Sequence, residues 1–386
     1  MENKNIRVAI THGDTNGIGY ELIFKTFAEP DMLELCTPII YGSPKIAAYH
    51  AKAMDMNANF TIINNAKDAQ DGKVNIIPCF DEDVRVDLGM PTEASGQAAI
   101  KALDKAMSDY RAGAFDVLVS APLDKQNLKV EGIPFKGVCK YVDTCLGEGE
   151  GVMNLYVNER MRVALFTDEL ALKNVADEVK TENIVKRTVL LYKTLRRDFR
   201  ITNPRIAILA LNPNADGQEE KEAIIPAVNM MAESGLQAFG PYAAEDFFAT
   251  DKYEAFDAVL AMYHDQGVLP FKSLQIESGV TLVAGLPVVC TAPENEPSFD
   301  IAGKGVANEI SMRHAIYTAI DVYRNRIEYD KPYANPLPKL YKDKKDDGEK
   351  ARYARPTSSD KKENKEHKEH REEHHEHNSH GEEQQA

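Results

Sequence analysis

Short, almost wholly apolar runs recur along this chain with helix-patterned segments between them. That alternation limits the folds open to it. Arg7–Thr11, Pro38–Gly42, Phe115–Pro122, Val163–Thr167, Ile206–Leu211 and Ala258–Leu260 lack the polar alternation of a half-exposed strand. They read as strands buried on both faces. Between them, Tyr20–Lys25 reads as a helix, Ile100, Leu103, Ala106, Met107 and Tyr110 recur at helical spacing, and 181–198 forms a long helical segment. Strand and helix in alternation indicate an α/β fold with a largely parallel sheet covered on both faces. A length of 386 residues is enough for two such layers.

Composition narrows the class further. A formal net charge of -15 argues against a nucleic-acid surface. Met1–Asn5 leads straight into a strand-like run with no signal-peptide core, and no apolar run reaches membrane-spanning length. The five cysteines are scattered with no Cys-x-x-Cys pair, as expected for free thiols in a reducing compartment. The expectation is a cytoplasmic protein with no membrane and no nucleic-acid partner. From Lys342 onward, apolar residues almost vanish, and six of the ten histidines lie there. Such a segment cannot bury enough surface to offset the entropy of ordering, so 336–386 reads as a disordered tail. Its histidines admit weak metal binding or simple solvation.

Several turns after strands carry polar groups. Ala261-Met262-Tyr263-His264-Asp265-Gln266-Gly267 follows the run Ala258–Leu260 and sets an imidazole and a carboxylate at a strand's C-terminal edge, where open α/β sheets bind ligands. A neutral imidazole can ligate a metal or act as a base beside a carboxylate, and Lys272 can neutralise an anion. Gly13–Gly19 can bring backbone N–H groups to an anion or serve only as a tight strand-to-helix connection. Ser120–Lys125 can hold an anion through Lys125 or can start a helix. Leu211–Gly217 can bind ligand oxygens or shape a turn.

Taken together, these segments resemble one enzyme family. Thr11–Leu22 is similar to the opening Thr-Pro-Gly-Glu-Pro-Ala-Gly-Ile-Gly of 4-hydroxythreonine-4-phosphate dehydrogenases, and Gly132–Gly137 to their Gly-Ile-Pro-Phe-Thr-Gly. Leu211-Asn212-Pro213 and Met262–Gly267 match directly. Gly285-Leu286-Pro287 and Asp300–Gly305 follow in order, so the resemblance covers about residues 6–328. It implies a homodimer of two-domain α/β/α subunits related to isocitrate and isopropylmalate dehydrogenases. Here the first domain would be 1–137 plus 284–335 and the second 138–283. It also implies NAD-dependent oxidation of 4-hydroxy-L-threonine phosphate or of a related substrate, decarboxylation of the oxo acid, and a place in pyridoxal phosphate biosynthesis. The site would lie at the dimer interface.

Residue by residue, the resemblance makes His264 one of three metal-ligand positions and puts Glu169 and Asn214 at the other two, where the family has histidines. That set is richer in oxygen, so among Mg, Mn, Co and Zn it favours Mg or Mn. Asp265 and Lys272 are the catalytic candidates. Lys272, Cys139, Thr281 and Cys290 are the substrate-binding positions, with Val138 where the family has a His. Cys290 stands where it has an Arg and cannot grip an anion as a guanidinium does. Asn295, in Glu294–Ser298, falls in the cofactor region. These replacements motivate a second expectation, a binding or regulatory dimer that keeps the fold without the chemistry. Removing 336–386 is expected to leave the melting temperature unchanged; a large drop would show that the tail packs on the fold.

Overall fold

The computed structural model describes residues 5–334 apart from 58, 81–83, 126–127, 131–132, 135, 148–150, 169 and 275–276. The chain forms strands β1 (Ile6–Thr11), β2 (Cys36–Gly42), β3 (Thr61–Ile62), β4 (Asn75–Pro78), β5 (Val117–Ser120), β6 (Lys129–Val130), β7 (Ile133–Pro134), β8 (Met153–Val157), β9 (Arg162–Leu165), β10 (Ile206–Leu209), β11 (Ala238–Tyr242), β12 (Ala258–Ala261), β13 (Val280–Ala284) and β14 (Val289–Pro293). The expected helical segments lie in Gly19–Phe27, Glu93–Arg111 and Thr181–Asp198.

Among the described residues, twelve of these strands make one sheet, in the order β11-β10-β12-β9-β8-β13-β14-β5-β1-β2-β4-β3. The separate pair β6–β7 is a small antiparallel ribbon. The fold is therefore α/β with a mixed, mostly parallel sheet. Parallel pairing holds from β14 through β5, β1, β2 and β4 to β3, and again among β9, β12, β10 and β11. Between these blocks, β8 runs antiparallel to β9 and β13, and β13 antiparallel to β14. The two parallel blocks consequently run in opposite directions. The block from β14 to β3 is drawn from residues before 121 and after 288, and the other strands from 153–284.

Burial explains the composition of the central strands. Val8, Ala9 and Ile10 of β1 are all fully buried, since neighbouring side chains project to opposite faces and helices cover both. Each such Val or Ile contributes about 1.5–3 kcal/mol through its burial. One apolar cluster includes Val8 and Ile10 from one block and Ile206 and Leu260 from the other, so the core crosses the junction. Met1–Pro332 belong to one compact unit; in the second, Tyr333–Ala386, only the end of helix Ile310–Ala334 is described. The charged tail lies outside the described residues. No helix among them is long and apolar enough to cross a membrane. All five cysteines are free.

The last helix is fastened to the 181–198 helix by a buried ion pair. Arg326 donates through Nε and Nη2 to Asp198 at 2.7 and 2.8 Å, and its Nη1 donates to the carbonyls of Leu286 and Pro287. Removing one partner strands a charge in the interior, which is more costly than losing both. Asp198→Ala is therefore expected to destabilise the protein by about 3 kcal/mol, read as a lower urea midpoint.

Candidate functional site

Where the parallel blocks meet, β8, β13 and β14 form the floor of a cavity of about 250 Å³. Strand pleating decides which residues face it. Thr281 pairs across β13 with Tyr156 of β8 and Ala292 of β14, and Val283 pairs with Asn154, so alternate residues come to one face. Cys290 joins that floor. Helix His264–Leu274 supplies one wall through His264, Val268 and Lys272, spaced i, i+4, i+8 on one side. Ser120–Leu123 and Lys125, at and beyond the end of β5, also line the cavity, together with Lys136–Cys139 at the start of helix Gly137–Leu146. Glu294, Asn295 and Glu296, following β14, complete the rim.

The heptapeptide after β12 divides into structural and chemical halves. Gln266 is buried; its amide donates to the Ala210 carbonyl at 2.7 Å and accepts from the Met262 N–H at 2.7 Å, which ties the helix start to two strands. Gly267 lets that helix press onto the sheet, since a Cβ there would lie 2.8 Å from Val163 and 2.9 Å from Ala261. His264 and Asp265 remain exposed. The His264 Nδ1–H donates to Asp265 at 2.9 Å, which leaves the lone pair on Nε2 for a proton or a cation.

Lys272 lies between two carboxylates, 3.4 Å from Glu294 and 3.6 Å from Glu296. Thr281 donates to Glu294 as well. Cys139 and Cys290 both face the cavity as neutral thiols. Burial pushes Cys139 up to about 12, and burial with the nearby Cys139 pushes Cys290 higher still. Asn295 donates weakly to the Asn308 carbonyl, and its Oδ1 is buried without a hydrogen-bond partner.

The cavity thus brings together His264, Lys272, Cys139, Thr281, Cys290 and Asn295. Asp265 touches it only through His264. Asn214 is exposed on the loop after β10 and does not line it, and Glu169 lies outside the described residues. Among the described residues no three His, Cys, Asp or Glu side chains converge as a metal centre. On the Asn214 loop, Glu220 accepts from the Leu211 and Asn212 N–H groups and from the Asn212 amide. Burial alone would raise its carboxyl, but these bonds outweigh it and hold the carboxyl below the usual range. The loop is thereby shaped as a turn. Sequence reading missed Asn154, Tyr156, Lys136, Glu294 and Glu296 as cavity groups. The alternation in Met153–Val157 was the available signal for the first two.

The chain matches the family model described as "Pyridoxal phosphate biosynthetic protein PdxA" over residues 34–319. It is 46% identical over 357 residues to the 4-hydroxythreonine-4-phosphate dehydrogenase of Bacteroides thetaiotaomicron, covering 91% of this chain and 98% of that one. It belongs to the PdxA family. Another PdxA-like relative, a putative D-threonate 4-phosphate dehydrogenase of Oceanobacillus iheyensis, is 32% identical over 83% of this chain and 99% of its own. The solved structure of 4-hydroxythreonine-4-phosphate dehydrogenase from Klebsiella pneumoniae superposes with a TM-score of 0.71 at 27% identity, covering 84% of this chain and 99% of that one. The fold of this PdxA family member and that of the Klebsiella protein thus agree over nearly the whole of the latter.

The PdxA-like opening turn Gly13–Gly19 proves to be structural. Asp14, Thr15 and Asn16 are buried, and the N–H groups of Asp14, Asn16, Gly17 and Ile18 all donate within the protein. His12 beside it is fully buried, with Nδ1–H donating to the Tyr41 carbonyl at 3.0 Å. Burial outweighs that bond and takes the imidazole down to about 4, and burial lowers His50 too. Both residues are then neutral when folded and take up protons when unfolded. Their contribution is complete above the ordinary histidine value and is lost as pH falls toward 4. His12 alone should make the protein about 2 kcal/mol less stable at pH 5 than at pH 7. Urea unfolding at both values checks this, and His12→Gln should flatten the difference.

Proposed function

We propose that this protein is an NAD-dependent oxidoreductase that oxidises the secondary alcohol of 4-hydroxy-L-threonine phosphate in pyridoxal phosphate biosynthesis, the oxo acid then losing CO₂. The observation that carries this reading is the convergence of His264, Lys272 and Asn295 on one cavity in a chain 46% identical to a 4-hydroxythreonine-4-phosphate dehydrogenase. In this reading Asp265 orients His264 so that Nε2 is presented to the divalent cation, and Lys272 supplies a proton to the carbon that CO₂ leaves. The unpaired Oδ1 of Asn295 fits an amino or amide donor of the nicotinamide cofactor.

A divalent cation, Mg or Mn before Co or Zn, fits the donor set if His264 is joined by the oxygens of Glu169 and Asn214. Bound there it would polarise the hydroxyl and then the carbonyl. The same reading takes residues 1–137 with 284–335 and 138–283 as two domains, and the working form as a cytoplasmic homodimer with the site at its interface. Free thiols and the resemblance support it.

A second reading, a binding or regulatory dimer without turnover, is favoured by one specific observation. The floor position that would carry a guanidinium holds the neutral, fully buried Cys290. NADH formation from 4-phosphohydroxythreonine, measured with Mg, Mn, Co and Zn, separates the two. Turnover with any of them is expected; none with all four would leave a related substrate, sought by a screen of hydroxy acids for NAD reduction, or the second reading. His264→Ala is expected to abolish that turnover. Metal analysis of protein lacking 336–386 should find a divalent cation that His264→Ala reduces.

A further inference from the structure

Lys272 meets two carboxylates, and the fold holds the two in different ways. We propose that Glu294 is a positioning residue: tied to Thr281, Ser311 and Gly279, it fixes the Lys272 ammonium at one place in the cavity and presents it to the ligand there, a part that Glu296 does not share. This rests on the cavity being the substrate site of the preceding section.

Glu294 is fixed along its whole length. Its N–H is shared between the Gly279 carbonyl, at 3.1 Å, and the Ser311 hydroxyl, at 2.9 Å. Ser311 is buried at the start of helix Ile310–Ala334, and its own hydroxyl donates to the Gly279 carbonyl. The Glu294 stem lies over Gly279, where a Cβ would stand 3.1 Å from Cγ and 3.2 Å from Cβ of Glu294. A side chain at residue 279 would push that stem aside. At the tip, Oε1 accepts from the Thr281 hydroxyl, and Oε2 lies 3.4 Å from Lys272 Nζ. Only 12% of the side chain is exposed, so little water competes for the carboxylate.

Glu296 differs in each respect. Its side chain is 79% exposed, and its 3.6 Å approach to Lys272 is its one ion pair among the described residues. An exposed pair of this kind is screened and holds a side chain weakly. Lys272 itself carries its charge on a flexible four-carbon stem. Glu294 removes that freedom before the ligand arrives. An ammonium has three donors, so one spent on Glu294 leaves others for the ligand. Placement matters because a shift of about 1 Å at a reacting centre can cost about a hundredfold in rate.

The test has two arms, both on the full-length protein. The first needs no substrate: acetylation of lysines by N-acetoxysuccinimide is followed by mass spectrometry, with the exposed Lys101 as reference. Glu294→Gln keeps an acceptor for Thr281 but turns a donor toward Lys272, and should raise the labelling of Lys272 by about threefold. Thr281→Val, which unties the carboxylate, should raise it as well and decides the matter if Glu294→Gln does not fold. Glu296→Gln should change it by less than about 1.5-fold. Failure of either of the first two to raise the labelling, or an equal rise with Glu296→Gln, overturns the proposal. The second arm follows NADH formation from 4-phosphohydroxythreonine. Glu294→Gln is expected to lower kcat by about tenfold or more and to raise KM by less than about threefold. An unchanged kcat with KM raised by about tenfold would put Glu294 in direct contact with the ligand and overturn the positioning role. No NADH formation by the unaltered protein, with the labelling pattern intact, refutes the dehydrogenase reading and leaves the hold of Glu294 on Lys272 standing.

Discussion

The antiparallel pairing of β13 with β8 and β14 is the constraint on which the rest of this structure depends. Each flanking block is parallel; its strands satisfy one another's backbone groups, and helices cover its faces. Joining two blocks that run in opposite directions requires a strand pair that reverses, and β13–β14 provides it. Its pleat brings Thr281 and Val283 into line with Tyr156, Asn154 and Ala292, which makes a floor from the consecutive strands β13 and β14 and the sequence-distant β8. A slip of one residue in that register would turn each of these side chains to the other face.

Upon that floor the cavity carries an uneven set of polar groups. His264 donates to Asp265 and has a free ring nitrogen, while Val138, Cys139 and Cys290 line the cavity without charge. Burial keeps the two thiols neutral, so they contribute shape rather than charge. Lys125 and Lys136 also line the cavity, and Glu294 and Glu296 stand within 3.4 and 3.6 Å of Lys272. Recognition in such a site depends on which of these groups the fold holds in place.

Local pattern made much of this legible. Arg7–Thr11 became β1, Phe115–Pro122 contains β5, and Ala258–Leu260 is nearly all of β12, because strands buried on both faces must be apolar throughout. The strands left unread were β3, β4, β6, β7, β8, β11, β13 and β14. Two of them, β8 and β13, carry polar residues that face the cavity, so their patterns mix site and core and resemble neither a buried run nor a clean alternation. Likewise Gly13–Gly19 looked like an anion cradle from its glycines alone. Only the hydrogen bonds of Asp14 and Asn16 show its donors to be spent within the protein.

By itself, the sequence determined the fold class, the family and the residues able to do chemistry, since these follow from local periodicity and from motifs contiguous in the chain. Tertiary structure alone decided which of those residues meet. It set Lys272 between Glu294 and Glu296, left Asn214 out on its turn, and brought Lys136 and His264 to one cavity. The reason is physical. Strand register and helix phase fix where a side chain projects, and the charge a ligand meets is the sum over walls far apart in sequence.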